Sequence, residues 1–102
     1  MAQVVWTEPA LNDLEEIAEY IALDKPMAAS GLVSDVFFKV DQLKEFPESG
    51  RKPSELPKSS RYRELVVGPC RVFYRSESNK VFILYVMRSE RVLRQFILMD
   101  RS

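Results

Sequence analysis

The stretch Tyr62–Val86 constrains the fold most, because it has the pattern of adjacent β-strands joined by short turns. Gly68-Pro69 separates two β-prone runs, Arg63–Val67 and Cys70–Arg75. A Gly-Pro pair between such runs is a strong turn signal. The two runs are therefore predicted to pair as an antiparallel hairpin.

A third strand follows the hairpin. The polar segment Ser76–Asn79 predicts a turn, since Asn tolerates the left-handed conformation that tight turns need. Lys80–Val86 is then apolar at nearly every position, as in a strand covered on both faces or central in its sheet. Because strand side chains alternate, Arg71, Phe73 and Arg75 should share one face of the sheet.

Two amphipathic helices are predicted before this sheet. Thr7 is a plausible N-cap for the first, in which apolar residues recur at helical spacing as far as Leu23. Asp24 is predicted to cap the second helix, with Pro26 in its first turn. The proline and glycine of Phe46–Gly50 end it. The short connection predicts an antiparallel helical hairpin that packs on the sheet.

The remaining segments complete a single α+β domain over residues 1–102. Gln3–Trp6 is β-prone and predicts an N-terminal strand. Gly50–Ser60 is rich in Pro, Ser and charge and predicts a loop. Val92–Met99 is compatible with a short C-terminal helix or an extended tail, and its periodicity does not decide between them. The order is β-α-α-β-β-β, with the last three strands an antiparallel meander.

The amino-acid inventory excludes several kinds of site. The chain has no histidine and one cysteine, Cys70. Ser-His-Asp and Cys-His nucleophile systems, His-containing zinc sites and an internal disulfide are therefore excluded. No metal or organic cofactor is expected.

Nothing in the sequence indicates a membrane protein. The longest apolar run, Val81–Met87, is far shorter than the ~20 residues that span a bilayer. The first residues lack the basic start of a signal peptide. We expect a cytoplasmic protein with no membrane partner.

Charge is distributed unevenly along the chain. Residues 1–50 hold three bases and ten acids, whereas residues 51–102 hold twelve bases and five acids, so the net charges by count are −7 and +7. This polarity suggests that the basic half faces an acidic partner. The alternative is that the two halves attract each other within one fold.

The sheet face opposite the helices is expected to be partly open and basic. Arginines that project from it would form a concave cationic surface, and the candidates are Arg61, Arg63, Arg71, Arg75, Arg88 and Arg91. Arg63 and Arg71 could instead pair with Glu64 and the acidic helices, and Arg51 could pair locally with Glu55.

Several motifs together resemble the RelE/ParE superfamily of bacterial toxins, and its ParE branch most closely. The resemblance covers roughly residues 3–93. Its motifs are Trp6-Thr7, Ala10, Asp13-Leu14, Ile17, Tyr20-Ile21, Phe46-Pro47, Gly50-Arg51, Pro53, Glu55-Leu56, Arg63-Glu64-Leu65-Val66-Val67-Gly68-Pro69, Arg71-Val72, Tyr74-Arg75, Val81, Ile83-Leu84 and Val86. The specific part is Arg63–Arg75 with the preceding Gly-Arg and Glu-Leu pairs. The resemblance implies a type II toxin, neutralised by a ParD-like antitoxin that alone would contact operator DNA.

The resemblance also implies two possible activities, gyrase poisoning and mRNA cleavage. ParE-type toxins are associated with poisoning DNA gyrase, and RelE-type toxins cleave ribosome-bound mRNA. Arg63 and Arg71 match two basic RelE-type positions, but Ser89 stands where RelE-type enzymes place an arginine, and no tyrosine follows Tyr85. ParE-type members commonly have histidine at the position of Arg88. Since the chain also has no histidine, its acid–base set for attack by the RNA 2′-hydroxyl is incomplete. We therefore expect a binding inhibitor of gyrase that blocks replication and serves in plasmid maintenance.

Two alternatives stay open: a RelE-like mRNA endonuclease using Arg63, Arg71 and Arg88, and an inactive homologue that serves as antitoxin partner and co-repressor. The predicted target-binding residues are Arg63, Arg71, Arg75, Arg88 and Arg91. The predicted antitoxin-binding residues are Leu11, Leu14, Tyr20, Phe37, Arg51 and Arg71.

Overall fold

A computed structural model describes the whole chain, residues 1–102, as a helical hairpin packed on a four-stranded sheet. In chain order the elements are β1 (Gln3–Trp6), α1 (Glu8–Ala22), α2 (Pro26–Asp41), a 3₁₀ turn (Gln42–Lys44), β2 (Tyr62–Val67), β3 (Cys70–Glu77), β4 (Lys80–Arg88) and α3 (Gln95–Arg101). The predicted fold class and element order are confirmed, and the residues after β4 form the short helix rather than an extended tail. No helix has the length and apolar character needed to cross a membrane.

The sheet has the order β1-β4-β3-β2. β2, β3 and β4 form the predicted antiparallel meander, while β1 runs parallel to β4 at the edge. Gly68, with φ +54°, opens the first turn, and Ser78 and Asn79, with φ 51° and 62°, form the second. Positive φ at these positions matches the twist of the strands that two-residue hairpin loops join.

The two helices begin by different means. The Thr7 hydroxyl accepts a hydrogen bond from the Ala10 amide at 3.4 Å and donates one to the carbonyl oxygen of Ile83 at 2.6 Å, so it both caps α1 and fastens it to β4. The predicted cap of α2 at Asp24 is wrong. Lys25 holds that position without a side-chain cap, because the Asp24 amide donates back to the Ile21 carbonyl and closes α1.

Both faces of the sheet carry apolar side chains, and the pairing of β4 with β3 contains a bulge. Phe73 pairs with Tyr85 and Tyr74 with Ile83, so Leu84 has no direct partner on β3. Val72, Tyr74 and Ile83 pack against the helical hairpin. The opposite face carries a second core, consisting of Leu56, Tyr62, Phe73, Leu84, Met87, Leu93 and Leu98.

The expectation of an open sheet face is therefore wrong. Leu56 from the long loop and Leu98 from α3 cover the face opposite the hairpin, and Leu98 is 0% exposed. Arg101 holds α3 against the sheet by donating hydrogen bonds to the Asp13 carboxylate at 2.6 Å and to the carbonyl oxygen of Leu84 at 3.0 Å. Burial of Leu98 removes apolar surface from water, which stabilises α3 in this position.

Candidate functional site

Arg71 lies at the centre of a buried network of ion pairs. Its Nη1 and Nη2 donate to the two carboxylate oxygens of Glu55 at 2.6 and 2.7 Å, and its Nε donates to Glu64 at 2.6 Å. Arg71 and Glu64 are 8% and 1% exposed. Arg51 adds a bond from its Nε to Glu64 at 3.0 Å. The guanidinium of Arg71 is thus held by two carboxylates, as the forked geometry of arginine favours.

The long loop positions Glu55 over the sheet. The Gly50 amide donates to the Tyr74 hydroxyl at 2.8 Å, and the backbones of Arg51 and Glu64 form an isolated β-bridge. A Cβ at Gly50 would lie 2.5 Å from that hydroxyl oxygen, so this contact requires glycine. The same close packing buries Tyr74 and raises the pKa of its phenol.

The electrostatics of the network follow from these contacts. The hydrogen bonds from Arg71 lower the pKa of Glu55 to about 2, against the opposing effect of burial. The bonds to Glu55, and then those to Glu64, raise the pKa of Arg71 in spite of its burial. Both groups are therefore charged at neutral pH. An arginine so paired has little free charge to offer a partner.

A second cluster lies where β4 ends beside α1. The guanidinium carbon of Arg88 lies 5.1 Å from the ring centroid of Tyr20, and the Nε of Arg88 is 2.7 Å from the Glu90 carboxylate. Glu16, Ile17, Tyr20, Arg88 and Arg91 line an open cavity of about 400 Å³. Arg91 is exposed and in no ion pair. We call this cluster the Tyr20–Arg88 surface.

The other predicted target-binding arginines lie elsewhere. Arg63 donates to the carbonyl oxygen of Gly50 at 2.8 Å and lies 3.7 Å from Glu48. Arg75 stacks over Phe82, with its guanidinium carbon 4.4 Å from the ring centroid. The five candidates therefore do not form one continuous basic surface.

The three arginines of the nuclease alternative do not converge. Arg63 lies on the hairpin side of β2, in alternation with Leu65 and Val67. Arg88 also lies on the hairpin side, over Tyr20. Arg71 lies on the opposite face with Phe73. No single phosphate could contact all three without a rearrangement of the sheet.

The predicted antitoxin-binding residues divide into exposed and buried ones. Leu11, Tyr20 and Phe37 are 40%, 63% and 41% exposed, whereas Leu14 is in the core. Arg51 is exposed but paired with Glu64, and Arg71 is buried. Of the six predicted residues, only these three leave apolar surface exposed on the helical hairpin.

Two long-range contacts near the candidate site were not predicted from the sequence. Arg51 was a possible local partner for Glu55, but Glu55 forms its ion pair with Arg71 instead. No sequence pattern indicated a partner for Asp13, yet its carboxylate accepts hydrogen bonds from the Val86 amide at 3.1 Å and from Arg101 at 2.6 Å. Both pairs join residues far apart in the chain, where no periodic pattern signals them.

The charge polarity is only partly neutralised within the fold. Arg63–Glu48 and Arg101–Asp13 are the ion pairs that join the acidic and basic halves. The exposed acids Glu8, Glu15, Glu16 and Glu19 on α1 take part in no ion pair. The helical hairpin therefore keeps an acidic surface.

The sequence matches the family model described as "ParE toxin of type II toxin-antitoxin system, parDE" over residues 4–93. It is 44% identical over 69 residues to "Toxin RelE2" of Caulobacter vibrioides, covering 68% of this chain and 73% of that protein. It is 41% identical over 87 residues to "Putative toxin Y4kP" of Sinorhizobium fredii, covering 85% and 88%.

Chains in two solved structures share the fold of this protein. A chain of the "Chromosomal ParDE TA system from P. aeruginosa" superimposes with a TM-score of 0.74 at 26% identity, covering 88% of this chain and 98% of that one. A chain of the RelBE2 toxin–antitoxin complex from Mycobacterium tuberculosis gives a TM-score of 0.56 at 23% identity, covering 85% and 96%, and shares the fold.

Proposed function

Because this chain belongs to the ParE toxin family of type II toxin–antitoxin systems, we propose that it arrests growth by binding DNA gyrase and so blocks replication. It would act in the cytoplasm as a binding inhibitor, without bond-breaking chemistry of its own. The gyrase target follows from the resemblance of the Arg63–Arg75 region to the ParE branch.

The observation that carries this proposal is the separation of the strand arginines. Arg71 is held by Glu55 and Glu64, on the face opposite Arg63 and Arg88. RNA cleavage through the 2′-hydroxyl needs a general base, a general acid and cations that meet at one phosphate. A binding inhibitor needs only an exposed complementary surface.

The Tyr20–Arg88 surface is the best-placed contact for the target. It combines an aromatic ring with two guanidinium groups beside an open cavity, and aromatic and arginine side chains are enriched among residues that dominate binding energy. Arg88 and Arg91 were both predicted to bind the target.

A cognate ParD-like antitoxin would neutralise the toxin by covering the same surface. Tyr20 is exposed on α1 together with Leu11, and both were predicted antitoxin contacts. A segment of the antitoxin lying along the helical hairpin would cover Tyr20 and so reach Arg88. Antitoxin and target would then exclude each other.

The similarity to "Toxin RelE2", 44% identity over 69 residues, favours retaining the nuclease as a second candidate function. Expression without antitoxin, with parallel labelling of new DNA, RNA and protein, tests the proposal. Gyrase inhibition predicts an early fall in DNA synthesis. An early fall in protein synthesis would instead indicate mRNA cleavage, and unimpaired growth would indicate an inactive homologue.

A further inference from the structure

The cavity between the end of the long loop and α3 is lined by hydrogen-bond donors. It measures about 400 Å³, and its polar lining residues are Ser59, Ser60, Arg61, Tyr62 and Gln95. No carboxylate lines it. The segments 57–62 and 94–99 contain three bases, Lys58, Arg61 and Arg94, and no acid. The cavity is therefore cationic and rich in donors.

Arg61 lines this cavity, and Arg75 lies opposite the lining residue Tyr62 in the strand register; neither arginine has a full set of partners. The Nε and Nη1 atoms of Arg75 are buried without a hydrogen bond. Nη1 of Arg75 lies 3.6 Å and Nη1 of Arg61 lies 3.9 Å from the carboxylate of Glu77. These distances exceed those of a good charge-assisted hydrogen bond. Since the Glu77 side chain is 58% exposed, it holds the two guanidinium groups only weakly.

Tyr62 lies next to Arg61 and opposite Arg75 in the strand register. The guanidinium carbon of Arg61 lies 5.4 Å from its ring centroid. Burial opposes ionisation of Tyr62, but its hydrogen bond with Ser102 and the charges of Arg61 and Arg75 lower the pKa of the phenol. The surroundings of Tyr62 thus favour negative charge.

We propose that the cavity lined by Ser59, Ser60, Arg61, Tyr62 and Gln95 binds a phosphate group. A phosphate presents acceptor oxygens in several directions, which suits hydroxyl, amide and guanidinium donors arranged around an open cavity. The group can come from a free phosphate or from the backbone of a nucleic acid strand, in which case Lys58 and Arg94 would extend the contact.

This site is separate from the Tyr20–Arg88 surface and does not depend on the proposed function. Arg61 and Arg75 lie at the end of the sheet where β4 begins, since Arg75 pairs with Phe82. Arg88 lies at the opposite end of β4. Substitutions in the cavity therefore leave the Tyr20–Arg88 surface unchanged.

The test is an NMR titration of the full, ¹⁵N-labelled chain with inorganic phosphate at constant ionic strength, with chloride as the reference anion. Saturable shifts confined to the amides of residues 58–62 and 95 would support the site. Arg61→Ala should weaken binding about tenfold, since it removes a charge-assisted contact. Lys39→Ala removes one positive charge from exposed α2 and should have no effect.

A second variant guards against an indirect effect of Arg61→Ala. Gln95→Glu places a carboxylate beside the cavity and should also weaken binding at least tenfold.

A single-stranded oligonucleotide titrated in parallel distinguishes the two sources of the phosphate group, free phosphate and nucleic acid. Tighter, salt-dependent binding of the oligonucleotide assigns the site to nucleic acid, and equal binding assigns it to free phosphate. Absence of saturable shifts with both ligands, or equal binding by Arg61→Ala and the unaltered chain, would overturn the proposal.

Discussion

The guanidinium carbon of Arg88 lies 5.1 Å from the ring centroid of Tyr20 and so joins the end of β4 to the outer surface of α1. Tyr20 was predicted to contact the antitoxin and Arg88 the target. Their stacking places the two predicted contacts on one surface. Under the proposed function, an antitoxin bound over Tyr20 would therefore exclude the target from Arg88.

Substitution of Tyr20 should weaken the antitoxin complex without unfolding the toxin. Tyr20 is 63% exposed, so Tyr20→Ala costs little stability but removes an aromatic anchor. We expect the dissociation constant for the antitoxin to rise about tenfold or more, as measured by calorimetry. Met99→Ala, an equally exposed position on α3, is the control. Unchanged affinity of Tyr20→Ala would contradict this assignment.

Loss of Arg71 should destabilise the fold rather than remove a target contact. Arg71→Ala leaves the carboxylate of Glu64, which is 1% exposed, with only the exposed Arg51 as partner. Removal of one member of a buried ion pair costs about 3–5 kcal/mol. Urea denaturation measures the change, with Glu77→Gln as an exposed control. A loss below about 1 kcal/mol would show that the network contributes little.

The Glu55–Arg71 pair should make stability depend on pH in acid. The pKa of Glu55 falls from 4.5 to about 2 in the folded chain, so the unfolded chain binds its proton first as the pH is lowered. The contribution of the pair is complete above pH 4.5 and is lost as the pH falls toward 2. Denaturation of Glu55→Gln across this range should show a shallower pH dependence than the unaltered chain. Glu15→Gln, on the exposed surface of α1, should not.

Leu98 should hold α3 on the sheet. It is 0% exposed within the second core, so Leu98→Ala should lower the free energy of unfolding by about 2–5 kcal/mol. Phe96→Ala, at a largely exposed position of the same helix, provides the control. Equal stability of the two variants would indicate that α3 does not form part of the core.

The meander was predictable because its information is local. Gly68 and Asn79 mark the turns, and the alternation around Phe73 assigns the faces. The parallel pairing of β1 with β4 is not local, since it depends on how the helical hairpin returns the chain to the sheet. Sequence reasoning therefore found this strand but not its direction.

The covered sheet face and the Glu55–Arg71 pair escaped prediction for a related reason, whereas the pairing of Arg71 with Glu64 was among the stated alternatives. Leu56 is a single apolar position in a polar loop. Leu98 belongs to the apolar run Phe96–Met99, whose conformation the sequence does not decide. Glu55 and Arg71 are 16 residues apart, and only the folded loop brings them together. The predicted antitoxin contact Leu14 was placed on the right helix, but that position faces the core.

Inhibition of purified gyrase tests the central claim most directly. The chain, freed of antitoxin, should inhibit DNA supercoiling, and Arg88→Ala should raise the concentration required about tenfold or more, while Lys39→Ala leaves it unchanged. The same preparations should leave ribosome-bound mRNA intact. Unimpaired supercoiling together with mRNA cleavage would contradict the account.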